Sequence, residues 1–469
     1  MEMLENFFNG LSRIIWGPAA WALLLAVGVL LSFKTNGLQI TKFFYYMDRT
    51  MIDMFRKPER KKMKRTETGE GDISQWQAIN AALCATMGVG TLAGTATAIA
   101  FGGPGSIFWM WVVGFFGITT KFAEVVLAVH FRGKNEKGEI LTGPFAYMEK
   151  GLGLKWLACL FAGAGVLASF GIGNMTQSNS AATALESVFG WDRTMVGLIA
   201  AALIGLVTLG GLKRIANVVD KLIPLLAAIC ILSSFIIVLL NWTSIGYAFY
   251  LIFSAAFSAQ GFAGGIAGVG VMYAVRFGLM RGVFSNEAGL GSGPIAHGAA
   301  QVDHPVKQGL WAAFEVFLDT HVMCTLIALV ILMNVPLADI LPGTEPALTG
   351  APLVIASYAN SFLGETFGSW FMAILMALFG FSTVIGWTYY GEKCFEYLFG
   401  LKFVVLFRLV SLPVAVFGSM GGIALIWTIA DNFNAFMAIP NVIAVSLLSH
   451  TVAKLTQDYF DKEKKAKQK

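Results

Sequence analysis

A Gly-Val-Gly tripeptide, Gly88 to Gly90, interrupts the apolar stretch from Ser74 to Phe101, and four threonines lie close to it: Thr86, Thr91, Thr95 and Thr97. Glycine favours local unwinding of a helix because it loses the most backbone entropy there and tolerates unusual φ/ψ angles. In a bilayer, unwound backbone persists only where protein, water or a bound solute satisfies its N–H and C=O groups. These residues therefore indicate binding of a polar solute at mid-membrane depth. Close helix packing around small residues is the alternative.

Amide and hydroxyl side chains in two later apolar stretches could line the same cavity. The string GIGNMTQSNS, residues 171–180, contains Asn174 and Gln177 at helical spacing. Ser382 and Thr383 are adjacent in another stretch. A single Ser or Thr in a membrane helix usually bonds its own backbone, whereas three amides within six residues are harder to explain in that way. Interhelical hydrogen bonds are the other explanation for them.

Ionisable side chains inside apolar stretches are functional candidates, because a charge in a bilayer is costly: Glu124, Glu315, Asp319, His321 and Asp431. Lys121 lies three residues before Glu124 and could pair with it, so a structural role is predicted for Glu124. Glu315 and Asp319 share a helix face at i, i+4 spacing. They could relay protons or form structural hydrogen bonds.

The composition is that of a membrane protein. Of 469 residues, 56% are hydrophobic and 13% are charged, and the net charge of +5 is spread over short loops and a tail. The first apolar stretch is followed by a basic loop without a small-residue cleavage site, so we predict a retained span. The sequence has no CxxC, Walker loop, nucleophile elbow or HExxH motif. We expect no enzymatic activity, no cofactor and no nucleic-acid partner.

Eleven apolar stretches are long enough to cross a bilayer as helices: 15–33, 74–101, 105–130, 154–185, 193–210, 219–240, 245–281, 309–334, 364–390, 402–418 and 422–450. The stretch 245–281 is long and rich in glycine, so we predict that it is broken. An all-α integral membrane protein with 11 transmembrane helices follows from this pattern.

Lysine and arginine are unevenly distributed between the two sides that eleven spans would define. The loops and helix ends on one side hold 31 of the 33 basic residues, which leaves only Arg13 and Arg193 opposite. Short cytoplasmic loops are enriched in these residues, so we predict the N-terminus outside and the C-terminus in the cytoplasm. The loop 34–73 is predicted to be solvated or to lie on the inner leaflet, and the basic end of the tail to be disordered.

Ten spans remain when the first is set aside, and they divide into five and five. Each set begins with a Gly-interrupted stretch, the second within SAQGFAGGIAGVG, residues 258–270. Such a pair is typical of a transporter site, and an odd number of spans inverts the second half. The predicted parts are an extra helix and basic loop at 1–73, repeats at 74–240 and 241–450, and a cytoplasmic basic tail at 451–469.

Three strings resemble the alanine or glycine:cation symporter family: GGPGSIFWMW (102–111), RGVFSNEAGLGSGPIAH (281–297) and GWTYYGEKCFEYLFG (386–400). GIGNMTQSNS and HPVKQGLWAAFEVF (304–317) add to the match. The resemblance implies the leucine-transporter-like fold, with two inverted five-helix repeats preceded here by one extra helix. It also implies Na⁺-driven uptake of small neutral amino acids, typically alanine and glycine.

The resemblance further implies roles for individual residues. The backbone amides of Val89 and Gly90, near Thr91, would meet the substrate carboxylate, and the Thr86 carbonyl would accept from its ammonium group. Sodium would be held by backbone oxygens and hydroxyls of Cys84, Met87, Phe379, Ser382 and Thr383. The other residues of the substrate pocket would be Asn174, Gln177, Ser258, Gln260, Phe262 and Trp387.

The sequence departs from the family's usual pattern at some of these positions. Most members that it resembles read GTGN or GSGN where this chain reads GVGT, which changes Val89 and Thr91. Ser106 stands where Gly or Ala is usual, and Gln260 could favour a different side chain. His321 stands where an apolar residue is expected, which leaves room for proton involvement because histidine titrates near neutral pH.

We therefore expect a multi-pass Na⁺:alanine/glycine symporter of a prokaryotic cell inner membrane. Its partners would be a small neutral amino acid, a sodium ion and the bilayer, with no obligatory protein partner. The same fold with H⁺ coupling or with a different small substrate is the alternative. A channel, whose flux would be neither uphill nor saturable, and a membrane-embedded enzyme are less favoured.

Overall fold

Helices form nearly all of the regular structure in the computed structural model, which describes residues 7–8, 10–12, 15–52, 69–257, 267–340 and 348–468. The helices that build the fold are, in chain order, α1 (Pro18–Lys34), α2 (Gln75–Thr86), α3 (Val89–Gly102), α4 (Gly105–Phe131), α5 (Lys155–Phe170), α6 (Thr176–Phe189), α7 (Arg193–Thr208), α8 (Gly211–Leu240), α9 (Trp242–Phe257), α10 (Ala267–Asn286), α11 (Gly293–His297), α12 (Pro305–Val316), α13 (Thr325–Asn334), α14 (Gly350–Ala359), α15 (Glu365–Phe399), α16 (Val404–Met420), α17 (Ile423–Leu447) and α18 (Ser449–Gln468).

Short elements connect these helices. Four are α-helical turns: Leu38–Thr41, Phe43–Met47, Pro144–Ala146 and Leu337–Ile340. Four are π-helical: Asp48–Ile52, Tyr147–Gly151, Gly171–Met175 and Phe317–Cys324. Leu401–Phe403 is a 3₁₀ turn, and the antiparallel strands β1 (Gly133–Lys134) and β2 (Ile140–Leu141) form a small hairpin. Two of the π-helical segments interrupt long helices, where such bulges often mark functional sites.

Seven helices within the described residues are long and apolar enough to cross a membrane: Gln75–Gly102, Gly105–Phe131, Lys155–Phe189, Gly211–Leu240, Pro305–Asn334, Glu365–Phe399 and Leu401–Met420. Each coincides with a predicted span. An eighth results if α17 and α18, bent by 59°, are taken together. The apolar helices α1 and α7 coincide with two further predicted spans but have only 17 and 16 residues. The predicted span 245–281 is divided between α9, which has 16 residues, and α10, and residues 258–266 between them lie outside the described part of the chain. The total of eleven spans therefore stays a prediction.

The pair α2–α3 lies at the centre of the bundle. Its apolar core is wholly buried, whereas most of the corresponding part of α8 and α16 is exposed on the outside of the bundle. Exposed apolar side chains on those outer helices are what a lipid-facing surface requires. α2 packs against α8, α11 and α15, while α3 packs against α10 and α14. Any break in α2–α3 is therefore enclosed by protein on every side.

The prediction of a disordered tail is wrong, because α18 continues to Gln468. Residues of the loop after α1 hold this helix. Tyr45 Oη lies 3.1 Å from Tyr459 Oη, and Arg49 forms a 3.2 Å ion pair with Glu463. These partners are more than 400 residues apart in sequence, so the composition of the tail alone could not indicate them.

Candidate functional site

The central helix is broken at Met87 and Gly88, between the end of α2 and the start of α3. Met87 has φ −78° and ψ 70°, and Gly88 has φ −129° and ψ −151°, neither of which is helical. Glycine is required at position 88 because neighbouring side chains approach its backbone closely. A Cβ atom there would overlap with Thr383 Oγ1 and lie 3.3 Å from Gln177 Oε1. The interruption predicted from the Gly-Val-Gly tripeptide is present.

A second irregular segment, residues 287–292, separates α10 from α11. Its backbone is left-handed at Glu287 (φ 58°), Gly289 (φ 94°) and Gly291 (φ 76°). Glu287 pays a steric cost for this conformation, which the surrounding structure must impose. Because α10 packs against α3 and α11 against α2, the two broken helices lie side by side. The interruption predicted at residues 258–270 falls mainly outside the described residues, which resume at Ala267.

Four of the five residues predicted to hold sodium meet beside the first break. Thr383 Oγ1 donates to the backbone oxygen of Cys84 at 2.9 Å, and Ser382 Oγ donates to that of Phe379 at 2.8 Å. Cys84 Sγ donates to the Ser382 backbone oxygen at 2.7 Å, which ties α2 to α15. Met87 lies in the break itself. Hydroxyl and carbonyl oxygens are the donors that hard cations prefer, so the arrangement is chemically suited to sodium.

Four predicted substrate residues surround the same break. The Val89 N–H donates to Gln177 Oε1 at 3.2 Å. The Thr86 carbonyl accepts from the Gly88 N–H at 2.9 Å and from Thr91 Oγ1 at 3.0 Å. The unwound backbone is thus satisfied by one side chain from α6 and by local contacts. A ligand that offered its own acceptor and donor could replace some of them.

The remaining predicted substrate residues do not all contact the first break. Trp387 packs against Gly173, where a Cβ would overlap with the indole, and Trp387 Nε1 has no hydrogen-bond partner among the described residues. Gly90 faces the ring of Phe284. The Asn174 amide instead donates to α16, so its hydrogen bond does not reach the break. Three predicted residues lie outside the described part of the chain: Ser258, Gln260 and Phe262.

Buried charges adjoin the break on its α2 side. Lys121 Nζ lies 3.2 Å from Glu315 Oε1 and 3.9 Å from Glu287 Oε2, while His297 Nε2 lies 2.9 Å from Glu315 Oε2. We call these four residues the charge cluster. Thr86 Oγ1 donates to Glu315 Oε1 at 3.1 Å, so the cluster contacts the break directly. All five side chains are buried.

Glu124, for which a structural role is predicted, has partners other than the predicted Lys121. Its Oε1 accepts from the Gly289 N–H at 3.0 Å and from Asn441 Nδ2. Tyr147 Oη in turn donates to the Asn441 amide oxygen. Lys121 forms its ion pairs with the charge cluster instead. Glu124 therefore fastens the second break to α17.

Sequence reasoning did not single out Ser285, Glu287 and His297, all of which the structure places near the breaks. The sequence feature that could have indicated them is the string FSNEAGLGSGP. In it, two polar residues precede an acid, and a glycine-rich run follows the acid. The predicted span 245–281 ended before that string, because no apolar stretch continued through it. Its buried backbone shows that a polar, Gly-rich run can also lie inside the bundle.

A cavity of about 430 Å³ lies at the Phe101 end of α3. Arg281 lines it and forms a bidentate pair with Asp431 at 3.0 and 2.8 Å. Below it, Phe284 stacks on Trp427 with ring centroids 5.0 Å apart, and Phe284 also contacts Gly90. These two rings separate the cavity from the first break.

The positions of Arg276 and Arg281 contradict one detail of the predicted distribution of basic residues. Arg276 and Arg281 were grouped with the loops on the side of Ser74, yet both lie in α10 and line this cavity at the opposite end of α3. The helix reaches further along the chain than the predicted span, which ended at residue 281. The basic residues elsewhere still favour the predicted orientation of the termini, which stays a prediction.

Comparison with known proteins yields consistent matches. The model of the sodium:alanine symporter family matches residues 1–469. The sodium/alanine symporter AgcS of Methanococcus maripaludis is 42% identical over 458 residues, which cover 97% of each chain. The "Probable sodium/glutamine symporter GlnT" of Bacillus subtilis is 37% identical, with 99% of this chain and 93% of that protein covered.

The fold also has a counterpart among solved structures. The crystal structure of MhsT in complex with L-phenylalanine has a TM-score of 0.53 and 14% identity, covering 82% of this chain and 98% of MhsT. At this identity the likeness shows the fold alone, and that fold is the leucine-transporter-like one.

Proposed function

This chain belongs to the sodium:alanine symporter family, and on that premise we propose that it takes up alanine, glycine or both together with Na⁺ by alternating access. The chain is a membrane transporter and not an enzyme. The observation that carries the proposal is the contact between the Val89 N–H and Gln177 Oε1 at the broken helix. It supports a site in which backbone amides receive the carboxylate of an amino acid.

The first turn of α3 is physically suited to bind the carboxylate of the substrate. Val89 is the first residue of α3, so its N–H and that of Gly90 belong to the unsatisfied first turn of a 14-residue helix. The positive end of the helix dipole stabilises an anion at this position. Gln177 Oε1 now accepts the Val89 N–H and would give way to a substrate oxygen. The Thr86 carbonyl, one turn before Gly90, supports the proposed contact with the ammonium group.

Sodium would bind at the contact between α2 and α15. The backbone oxygens of Cys84 and Phe379 and the hydroxyls of Ser382 and Thr383 are already within hydrogen-bond distance of one another in pairs. The hydroxyl hydrogens now point at carbonyls, and rotation of the hydroxyls would direct all four oxygens at a cation. A cation here would fasten α15 to the break and so stabilise the substrate site.

The close packing of glycines against larger side chains near the break favours a small substrate. Gly88 and Gly173 leave no room for a further carbon atom beside Thr383 and Trp387. Glutamine is the alternative substrate, because a relative is named a sodium/glutamine symporter. H⁺ coupling is the alternative to sodium coupling, and the acid Asp319 beside Thr91 favours testing it.

The topology belongs to the same proposal. We place eleven spans in the inner membrane of a prokaryotic cell, as an extra helix followed by inverted repeats at 74–240 and 241–450. The N-terminus would lie outside and the C-terminus inside. The broken helices α2–α3 and α10–α11 pack side by side. This packing supports two repeats that each contribute one broken helix to a shared site.

Uptake of labelled alanine into proteoliposomes tests the proposed function. We expect accumulation against a gradient only when Na⁺ is high outside, with glycine and alanine as competitors and glutamine as a weaker one. K⁺ and H⁺ gradients of equal size are the controls. Accumulation driven by H⁺ alone, or passive equilibration under every gradient, would contradict the proposal.

Thr383→Ala should raise the Na⁺ concentration that half-saturates uptake by about tenfold, because one ligand oxygen and its contact with Cys84 are lost. The relative inhibition by glycine and alanine should stay as in the parent protein. Thr388→Ala is the matched control, since Thr388 is buried about one turn further along α15 and its hydroxyl, among the described residues, bonds only its own helix at Val384. Equal Na⁺ dependence in both variants would remove Thr383 from the ion site.

A further inference from the structure

Helix α1 ends well before its neighbour α4 does. Gly28 of α1 packs against Phe116, and Ser32 Oγ lies 3.2 Å from Thr119 Oγ1, so the two helices run side by side in the same direction. α1 stops at Lys34, two residues after Ser32, whereas α4 continues for twelve residues after Thr119. At a rise of about 1.5 Å per residue, the end of α1 therefore lies about 15 Å short of the end of α4.

The end of α1 lies at the level of lipid acyl chains. α4 has 27 residues and is about 40 Å long, which matches a bilayer with its headgroup layers, so a level about 15 Å from its end lies beyond the headgroups. Phe43, in the second short turn after α1, stays near this level, because it packs against Phe317 with ring centroids 5.1 Å apart. Phe317 lies twelve residues, or about 18 Å, after the start of α12. That start lies beside the end of α4, where Arg132 donates to the Val302 carbonyl at 3.4 Å.

Three large apolar side chains of this segment face away from the protein. Phe33, Ile40 and Phe44 are 79%, 67% and 84% exposed. Asn36 (φ 55°) and Gly37 (φ 63°) adopt left-handed conformations, which end α1 and turn the chain along the bundle. In a bilayer, acyl chains cover apolar side chains that are exposed at this level. Lipid is therefore the occupant that this surface requires.

Two lysines accompany these apolar side chains. Lys34 is exposed at the end of α1, and Lys42 Nζ lies 4.5 Å from the ring centroid of Phe460 in α18. Within the described part of the chain, neither lysine forms an ion pair with a carboxylate. A lysine near the hydrocarbon extends its ammonium group to the headgroups, where an anionic lipid attracts it. A zwitterionic headgroup attracts it less, because its own cation neutralises its phosphate.

We infer that residues 33–44 form a binding site for an anionic phospholipid of the surrounding leaflet. Lys34 and Lys42 neutralise its phosphate, and its acyl chains cover the three exposed apolar side chains. The site goes beyond the proposed function and does not depend on it, since lipid binding requires neither substrate nor Na⁺. Phe43 joins the site to Phe317, the first residue of the π-helical segment after α12, so a bound lipid supports that segment from outside.

Native mass spectrometry of the purified protein in neutral detergent tests the lysines. With equal amounts of phosphatidylglycerol and phosphatidylcholine, the phosphatidylglycerol complex should predominate. Lys34→Gln/Lys42→Gln should weaken phosphatidylglycerol binding by about fivefold for each lysine removed and leave phosphatidylcholine binding unchanged. Lys137→Gln/Lys213→Gln, which removes the same charge from two exposed positions elsewhere, should keep the preference. No preference in the parent protein, or an equal loss in the two double variants, would overturn the inference.

The apolar half of the site has a test of its own, in which the charge of the protein does not change. Phe44→Ser should lower the occupancy of both lipids at least threefold, because acyl-chain contacts are lost. Phe403→Ser is the matched control, since Phe403 is 53% exposed but lies outside residues 33–44. An excess of inorganic phosphate should not displace the bound phosphatidylglycerol. Displacement by phosphate, or equal lipid binding by the two serine variants, would show that residues 33–44 do not bind a phospholipid.

Discussion

Gly88→Ala is expected to lower Na⁺-driven alanine uptake by on the order of 100-fold. The added Cβ would overlap with Thr383 Oγ1 and press on Gln177 Oε1, so α15 or α6 must move away from the break. Such overpacking typically costs about 1–3 kcal/mol, and here the cost falls on contacts proposed to bind both sodium and substrate. Initial uptake rates in proteoliposomes, normalised to the amount of inserted protein, measure the effect.

Gly94→Ala is the matched control for this substitution. Gly94 lies in the same helix, α3, and an added Cβ there would meet no atom of the described residues within 4 Å. Alanine also has a higher helix propensity than glycine, so this variant should insert and transport at least as well as the parent protein. Similar rates in Gly88→Ala and Gly94→Ala would show that the break does not form the transport site.

Lys121→Met should cause the largest loss of stability, about 3–5 kcal/mol. Methionine fills a similar volume but leaves Glu315 and Glu287 buried without the cation that lies 3.2 and 3.9 Å away. The bond from Lys121 Nζ to the Asn286 backbone oxygen, 2.9 Å long, is lost as well. Thermal unfolding of the purified protein in detergent, followed by loss of the monodisperse peak, measures the change.

Lys307→Met controls for removal of a lysine in general. Its partner is Asp303, and the two side chains are 39% and 47% exposed, so this ion pair should contribute less than about 1 kcal/mol. The double variant Lys121→Met/Glu315→Gln should regain part of the lost stability, because one uncompensated carboxylate is also removed. A Lys121→Met protein as stable as Lys307→Met would mean that the charge cluster does not stabilise the bundle.

The first break could be predicted because its cause is local. Gly88 and Gly90 lie in an apolar stretch, and the cost of glycine in a helix depends on the residue alone. The second described break follows from tertiary structure: Glu287 adopts a left-handed conformation, and Glu124 and Asn441 hold the segment from other helices. A search for apolar stretches ended the predicted span at residue 281, before this segment, since the string FSNEAGLGSGP contains three polar residues and an acid.

Partners of the buried charges could not be predicted from spacing. Lys121 and Glu124 have the i, i+3 relation that often yields an ion pair. In the structure, Lys121 instead reaches Glu315, 194 positions further along the chain, and Glu124 reaches Asn441. Helix packing decided both contacts, because other helices contribute the partner of each charge.

The predicted sodium residues were carried over from a family resemblance, and the structure places most of them together. Thr383 contacts Cys84, and Ser382 contacts Phe379. Asn174 was placed in the pocket by its helical spacing from Gln177, yet the π-helical segment 171–175 changes that spacing and turns its amide toward Ser411. Periodicity predicts a shared face only where the helix is regular.

Equilibrium binding of labelled alanine to the purified protein, titrated with Na⁺, tests the central claim most directly. If sodium and substrate share the broken helix, each must raise the affinity for the other by the same factor. We predict that alanine affinity rises at least tenfold as Na⁺ replaces choline, and that Gly88→Ala removes this gain while Gly94→Ala retains it. Alanine binding that does not respond to Na⁺, or that Gly88→Ala leaves unchanged, would contradict the account.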